Sequence, residues 1–256
     1  MIITIATQKG GVSKTTTAAT IAQALSFKGK KTLLIDSDSQ RSATNRYGAE
    51  GKSGGTYSLI LGKEAPENLI EETEAGSIIP SSELLDCLGE ELKEYKDRDY
   101  FLKTSIEPIR NKYDYIIIDT PPGFNTCLVQ ALTAADLVII PLLCDSDAPE
   151  ALFQVYRTIN EVRKRCNPGL KVGAVVLTQC RGNAILTRQY EELLADQCEK
   201  MKLPLAKTKI RYAIAIQEAQ SLRKSIYAHK PKCNPAIDYL TLCEEIGLLK
   251  KTRKER

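Results

Sequence analysis

Residues 2–25 constrain this chain more than any other stretch. They run Ile2-Ile3-Thr4-Ile5-Ala6, then Gln8-Lys9-Gly10-Gly11-Val12-Ser13-Lys14-Thr15-Thr16-Thr17, then an alanine-rich segment. The apolar run reads as a buried strand, the glycine-bearing decapeptide as a loop, and 18–25 as a helix. A loop in that context presents backbone N–H groups and the positive end of a helix to an anion. Lys14 adds a cation able to reach terminal phosphates, and Thr15 adds a hydroxyl suited to Mg²⁺. The expected phosphate cradle is therefore Lys9, Gly10, Gly11, Val12, Ser13, Lys14, Thr15 and Thr16.

The common phosphate-loop pattern G-x-x-x-x-G-K-[ST] has glycines where this chain has Gln8 and Ser13. In its place stands a Gly-Gly pair with Lys9 five residues ahead of Lys14. That arrangement resembles the deviant Walker A loop of the ParA/MinD class of P-loop ATPases. The resemblance implies that Lys9 reaches across a dimer to the ATP of the other copy. Members of that class usually carry glycine at the position of Ser13, which bears on loop geometry and turnover.

Two acidic strand ends complete the expected site. The run 113–119 (Tyr-Asp-Tyr-Ile-Ile-Ile-Asp) is the strongest buried strand in the chain, and Asp119 closes it. Strand C-termini in a parallel sheet face one crevice, so a carboxylate there can hold a hydrated Mg²⁺ beside Thr15. The run 31–36 ends on Asp36, and Asp36-Ser37-Asp38-Ser39-Gln40 resembles the family's Asp-x-Asp-Pro-Gln motif without its proline. By that resemblance Asp38 orients the attacking water and Asp36 supports the metal shell. Asp119-Thr120-Pro121-Pro122-Gly123 resembles a switch that senses the γ-phosphate, and Cys127 beyond it reads as packing.

Further along, strands at 137–141 and 172–178 alternate with helical stretches at 148–165 and 185–200. That alternation predicts parallel βαβ units in a doubly wound α/β sheet flanked by helices. A polar stretch over 37–55 reads as a functional loop, 56–61 as a short helix and 77–80 as a strand end. The run 81–95 reads as a helix capped by Ser81 or Ser82, with Leu84, Leu85, Leu88 and Leu92 on one face. The expected organisation is one ATPase domain over 1–250 and a basic tail over 251–256.

With 256 residues, 43% of them hydrophobic, the chain suffices for one large core, and 36 basic against 32 acidic residues leave only +4. That balance permits a nucleic-acid partner without requiring one. Eight cysteines without a C-x-x-C, and a single histidine at 229, give no metal-site pattern. No signal peptide or long apolar run appears, so the expected location is the cytoplasm, without stable membrane association.

The resemblance covers nearly the whole chain. Residues 131–141 are similar to the family's Ala-Leu-Thr-Ala-Ala-Asp stretch and the strand after it. Ile210-Arg211 with Gln217-Glu218-Ala219, and the segment 236–239, resemble its C-terminal motifs. Together these identify a ParA/Soj-type partition ATPase of the short form. By position Thr178 and Gln179 line the base or ribose. The family implies ATP and Mg²⁺ as cofactors, a homodimer formed on ATP binding, non-specific DNA and a ParB-type stimulating protein. It also implies nucleoid association in the ATP state. Candidate DNA contacts are Arg181, Arg188, Arg211, Arg223 and Lys224. Three alternatives stay open. One is a nucleotide-controlled regulator with little hydrolysis, and another a MinD-like membrane-cycling ATPase. The third is a small-molecule ligase on the same scaffold.

Overall fold

Strands whose residues are apolar on both faces must be covered on both faces, and that requirement sets the architecture. A computed structural model describes residues 1–181 and 185–250, with the backbone alone over 185–188. Among them, β1 (Ile2–Ile5), β2 (Thr32–Asp36), β3 (Glu71–Thr73), β4 (Gly76–Ile79), β5 (Tyr115–Asp119), β6 (Leu137–Leu143) and β7 (Lys171–Thr178) form one sheet. Its order is β3-β4-β2-β5-β1-β6-β7, parallel except for the β3–β4 pair at one edge. Alternate residues feed two cores. Ile2, Leu33, Ile35, Ile116 and Ile118 point to one, and Ile3, Ile5, Leu34, Ile117 and Ile139 to the other.

Helix α1 (Lys14–Phe27) follows the loop and is buried almost all round, from Thr17 to Leu25. One side covers the sheet. On another, the Thr17 hydroxyl bonds the Tyr239 hydroxyl at 2.9 Å, on a helix spanning Asn234–Glu245. A helix enclosed this way needs small apolar residues rather than an amphipathic stripe, which the Ala18-Ala19-Thr20-Ile21-Ala22 run supplies.

Parallel pairing brings the ends of β1, β2 and β5 together, with Ile5 opposite Asp119 and Asp36 opposite Asp119. The crevice above these ends is lined by Lys14, Thr15 and Asp38 among others.

The structure revises two local expectations and adds an edge strand. The 37–55 stretch is no simple loop: it contains α2 (Ser42–Tyr47), entered through Arg41 at φ 56°. The 81–95 segment is not one helix. It forms a 3₁₀ turn over Glu83–Cys87 and a short α-turn over Leu88–Glu91, with Ser82 accepting from the Leu84 N–H. Leu84 is exposed while Leu85, Leu88 and Leu92 are buried, so the expected four-leucine face does not form. Gly89 inside the run further weakens a continuous helix. Finally, the edge strand β3 carries Glu-Glu-Thr. Charge of that kind blunts a sheet edge and leaves no hydrophobic signature to read.

No helix among the described residues is long and apolar enough to cross a membrane. Ile246, Leu248 and Leu249, the apolar side chains of the last described turn, pack against the core.

Candidate functional site

The loop after β1 opens a cavity of about 380 Å³, lined by Gly10, Gly11, Ser13, Lys14, Thr15 and Thr16. Across from them lie Asp38, Arg46, Thr178, Gln179, the 210–213 segment and Tyr239. Gly11 has φ 76°, and a Cβ at Gly10 or Gly11 would meet no protein atom, so the backbone faces open space. That is the surface an anion needs to approach N–H groups closely. Lys14 is buried, its ammonium donating to the Lys9 carbonyl at 3.0 Å. Burial lowers its pKa, while Asp119 and Asp38 oppose that shift.

Ser13 takes glycine's place without changing glycine's geometry. It adopts φ 67°, ψ 27°, the left-handed conformation, immediately before α1. For an L-residue this costs roughly 1 kcal/mol. Hydrogen bonds from the end of β7 hold it there. The Gln179 amide donates to Ser13 Oγ at 2.8 Å and to the Gly11 carbonyl at 3.2 Å. The Thr178 hydroxyl donates to the Val12 carbonyl at 3.2 Å. Ser13→Ala keeps the strained backbone and loses the Gln179 bond, whereas Ser13→Gly loses the bond and relieves the strain. The glycine variant is expected to be about 1 kcal/mol more stable than the alanine variant by urea denaturation. Equal midpoints would deny the strain.

Asp119, at the end of β5, is fully buried, and neither carboxylate oxygen has a hydrogen-bond partner. Burial lifts its pKa well above the usual carboxylate range, and Asp36 adds to the rise; Thr15 and Lys14 work against it. A buried, unpartnered carboxylate beside a threonine hydroxyl and a lysine suits a hydrated divalent cation. Mg²⁺ takes few protein ligands and keeps waters and phosphate oxygens, so Thr15 and Asp119 suffice. The donor set fits.

Asp36 does something else. Its Oδ2 accepts from the Thr44 N–H and hydroxyl, both at 2.8 Å, and its Oδ1 from the Asp38 N–H at 3.2 Å. Those bonds pin the start of α2 to the end of β2. Burial nonetheless raises Asp36 to about 6. These three bonds tie Asp36 to the fold, and its charge adds to the rise at Asp119. Asp38 lines the cavity, with Oδ1 accepting from the Gln40 N–H at 3.0 Å.

Lys9 and Val12 do not line the cavity. Val12 is buried. The Lys9 ammonium bridges Asp145 and Asp147, each at 2.9 Å, on the loop between β6 and the helix Ala148–Arg165. Nothing in the sequence pattern marks those two aspartates as its partners.

The basic residues separate. Arg181 is exposed and stacks on the Tyr212 ring at 4.1 Å. Arg211 is held by Asp238 through its Nε at 2.9 Å and again through Nη2, and it lines the cavity. Arg223 and Lys224 line a different cleft with Glu50, Glu71, Glu72 and Glu74. Lys224 lies 3.8 Å from Glu74. The Arg188 side chain and the tail 251–256 lie outside the described residues.

Cys127 is buried and its thiol is pushed up to about 12, in keeping with a packing role. His229 bonds Glu218 at 3.1 Å, away from the cavity. The reading from sequence also misses Tyr212, Tyr239 and Arg46. Tyr239 ends the 236–239 segment, which the sequence singles out without a role in the site; Tyr212 follows no local motif, and Arg46 falls in a stretch without apolar periodicity.

Comparison with known proteins agrees with this geometry. The AAA domain family model (AAA_31) matches residues 1–172. The chromosome partitioning protein ParA of Caulobacter vibrioides is 33% identical over 262 residues, spanning 100% of this chain and 97% of that protein. The sporulation initiation inhibitor protein Soj of Bacillus subtilis is 34% identical over 250 residues, spanning 96% and 98%. A crystal structure described as cobyrinic acid a,c-diamide synthase of Mycobacterium smegmatis, with an ATP analogue and magnesium bound, superposes with a TM-score of 0.81. It is 29% identical, over 94% of this chain and 91% of that one. Full-length identity to ParA and Soj, on a phosphate loop and acidic strand ends of the kind described above, places the chain in the ParA/Soj family of partition ATPases.

Proposed function

We propose that this chain is an ATP- and Mg²⁺-dependent dimeric switch for DNA partitioning. It hydrolyses ATP to ADP and phosphate when a ParB-type partner stimulates it. The observation that carries this reading is the division between the two loop lysines. Lys14 is buried against its own cavity, while Lys9 is turned out to the rim. A rim cation is placed to serve a nucleotide held by a second copy.

In this scheme Lys14 and the loop amides hold the phosphates, and Thr15 and Asp119 hold the hydrated metal. Bound Mg²⁺ neutralises phosphate charge. Asp38 orients the attacking water, and Thr178 and Gln179 fix the loop against β7. Arg181, exposed and pre-oriented on Tyr212, is the first candidate for DNA phosphate contact.

The test is non-specific DNA binding with no nucleotide, ADP, ATP or a non-hydrolysable ATP analogue, at two salt concentrations. Binding confined to ATP and its analogue, and falling steeply with salt, is the expected result. DNA left unbound in every state would overturn the DNA part of the reading. The membrane-cycling alternative would then be tested by ATP-dependent attachment to lipid vesicles.

A further inference from the structure

We infer that Arg46 is a phosphate-binding residue, whose guanidinium grips the polyphosphate of the nucleotide seated on Lys14 and the loop amides of the same copy. This rests on the nucleotide reading above and names a second cation within that site.

Arg46 lies on α2 and lines the loop cavity. Its Nη1 donates to the Thr16 hydroxyl at 3.0 Å, in the first turn of α1. Among the described residues that neutral hydroxyl is its hydrogen-bond partner, and no carboxylate lies within ion-pair distance. Other arginines of this chain are answered differently. Arg110 pairs with Asp136 at 2.8 Å, and Arg211 pairs with Asp238. A guanidinium carries five N–H donors in a planar fork, so Arg46 has most of them unspent.

The surroundings favour an anion there. Burial lowers the Arg46 pKa, and Asp119, then Asp36, oppose that shift at longer range. The group stays cationic. A half-buried cation without a counter-ion is unfavourable, and a polyphosphate supplies the missing charge in a geometry the fork matches. The support beneath Arg46 is rigid. Asp36 fixes Thr44 at one end of α2. At the other end the buried Tyr47 donates its hydroxyl to the Ala19 carbonyl at 3.4 Å. A binding group on so short an element needs that bracing.

The experiment is calorimetric titration of the full chain with ADP, ATP and adenosine in Mg²⁺. It compares wild type, Arg46→Gln, Arg46→Ala and Lys14→Ala. Both Arg46 variants are expected to bind ADP and ATP about tenfold more weakly, with adenosine affinity unchanged. The melting temperature without nucleotide should hold or rise, because an unanswered cation has been removed. Arg46→Gln keeps a donor for Thr16, so it stays informative if the alanine variant does not fold. ADP and ATP affinities within threefold of wild type in a folded variant would overturn the inference and leave Arg46 as a tie to Thr16. If wild type binds neither nucleotide and Lys14→Ala changes nothing, the nucleotide reading itself falls, and this inference with it.

Discussion

Replacing Lys9 with alanine is expected to abolish the ATP-driven dimer while leaving nucleotide binding by the single copy within about tenfold of wild type. In the structure Lys9 spends its charge on Asp145 and Asp147, whose side chains are 36% and 65% exposed. Ion pairs so open to water contribute little to stability. Losing them therefore leaves the fold intact. Between two copies the same ammonium would meet a phosphate in a site from which water is excluded, where a charge-assisted bond is far stronger. The cost of the substitution accordingly falls on the dimer. Light scattering with a non-hydrolysable ATP analogue measures it. A dimer forming in undiminished yield would remove Lys9 from the role across the interface. Asp145→Asn with Asp147→Asn serves as the control, since it frees Lys9 and is expected to leave the dimer in place.

Residues whose role follows from their immediate neighbours are legible in the sequence alone. Asp119 closes an apolar run that can only be a buried strand, and Lys14 and Thr15 open the helix that follows the glycine loop after another. Parallel pairing then brings the ends of the two runs together, as the register of β1 with β5 bears out. Asp36 is half legible. Its place at the end of β2 follows from the apolar run before it, but its commitment to Thr44 depends on α2, whose Ser-Ala-Thr-Asn-Arg-Tyr carries no helical periodicity. Arg46 and Tyr239 are invisible for a different reason. Their approach to the loop is a consequence of packing between α1 and elements distant in sequence, as the Thr17–Tyr239 bond, 222 residues apart, illustrates. Ser13 stands between these cases. The sequence marks it as a departure from glycine, and only the backbone reveals that the departure is chemical and not geometric.

Asp119→Asn is expected to stabilise the protein without ligands while reducing Mg²⁺-dependent hydrolysis by about 100-fold or more, on the order expected for losing a metal-holding group. Both effects come from one carboxylate, buried without a hydrogen-bond partner. Its folded pKa lies well above the ordinary aspartate value of 3.8, burial being the main cause. Between those two pKa values the folded state holds more protons than the unfolded chain, so stability falls as pH rises through that window. Asp36, raised from 3.8 to about 6, contributes with the same sign. In the ligand-free wild type these two carboxylates should therefore remove stability from about pH 4 upward. The Asn variant, carrying no charge at 119, should lose less and lead wild type near neutrality. That lead should vanish near about pH 4, where the wild-type carboxyl is already protonated in the fold. Urea denaturation across this range measures the difference, and an Asn variant less stable than wild type at every pH would deny the imbalance. Added Mg²⁺ and ADP should flatten the pH dependence of wild type and change the variant little. A cation that answers the Asp119 charge removes the reason for the carboxyl to hold its proton. The cost of burying the Asp119 charge and the fit of the site to a metal are then one electrostatic imbalance, read in two ways.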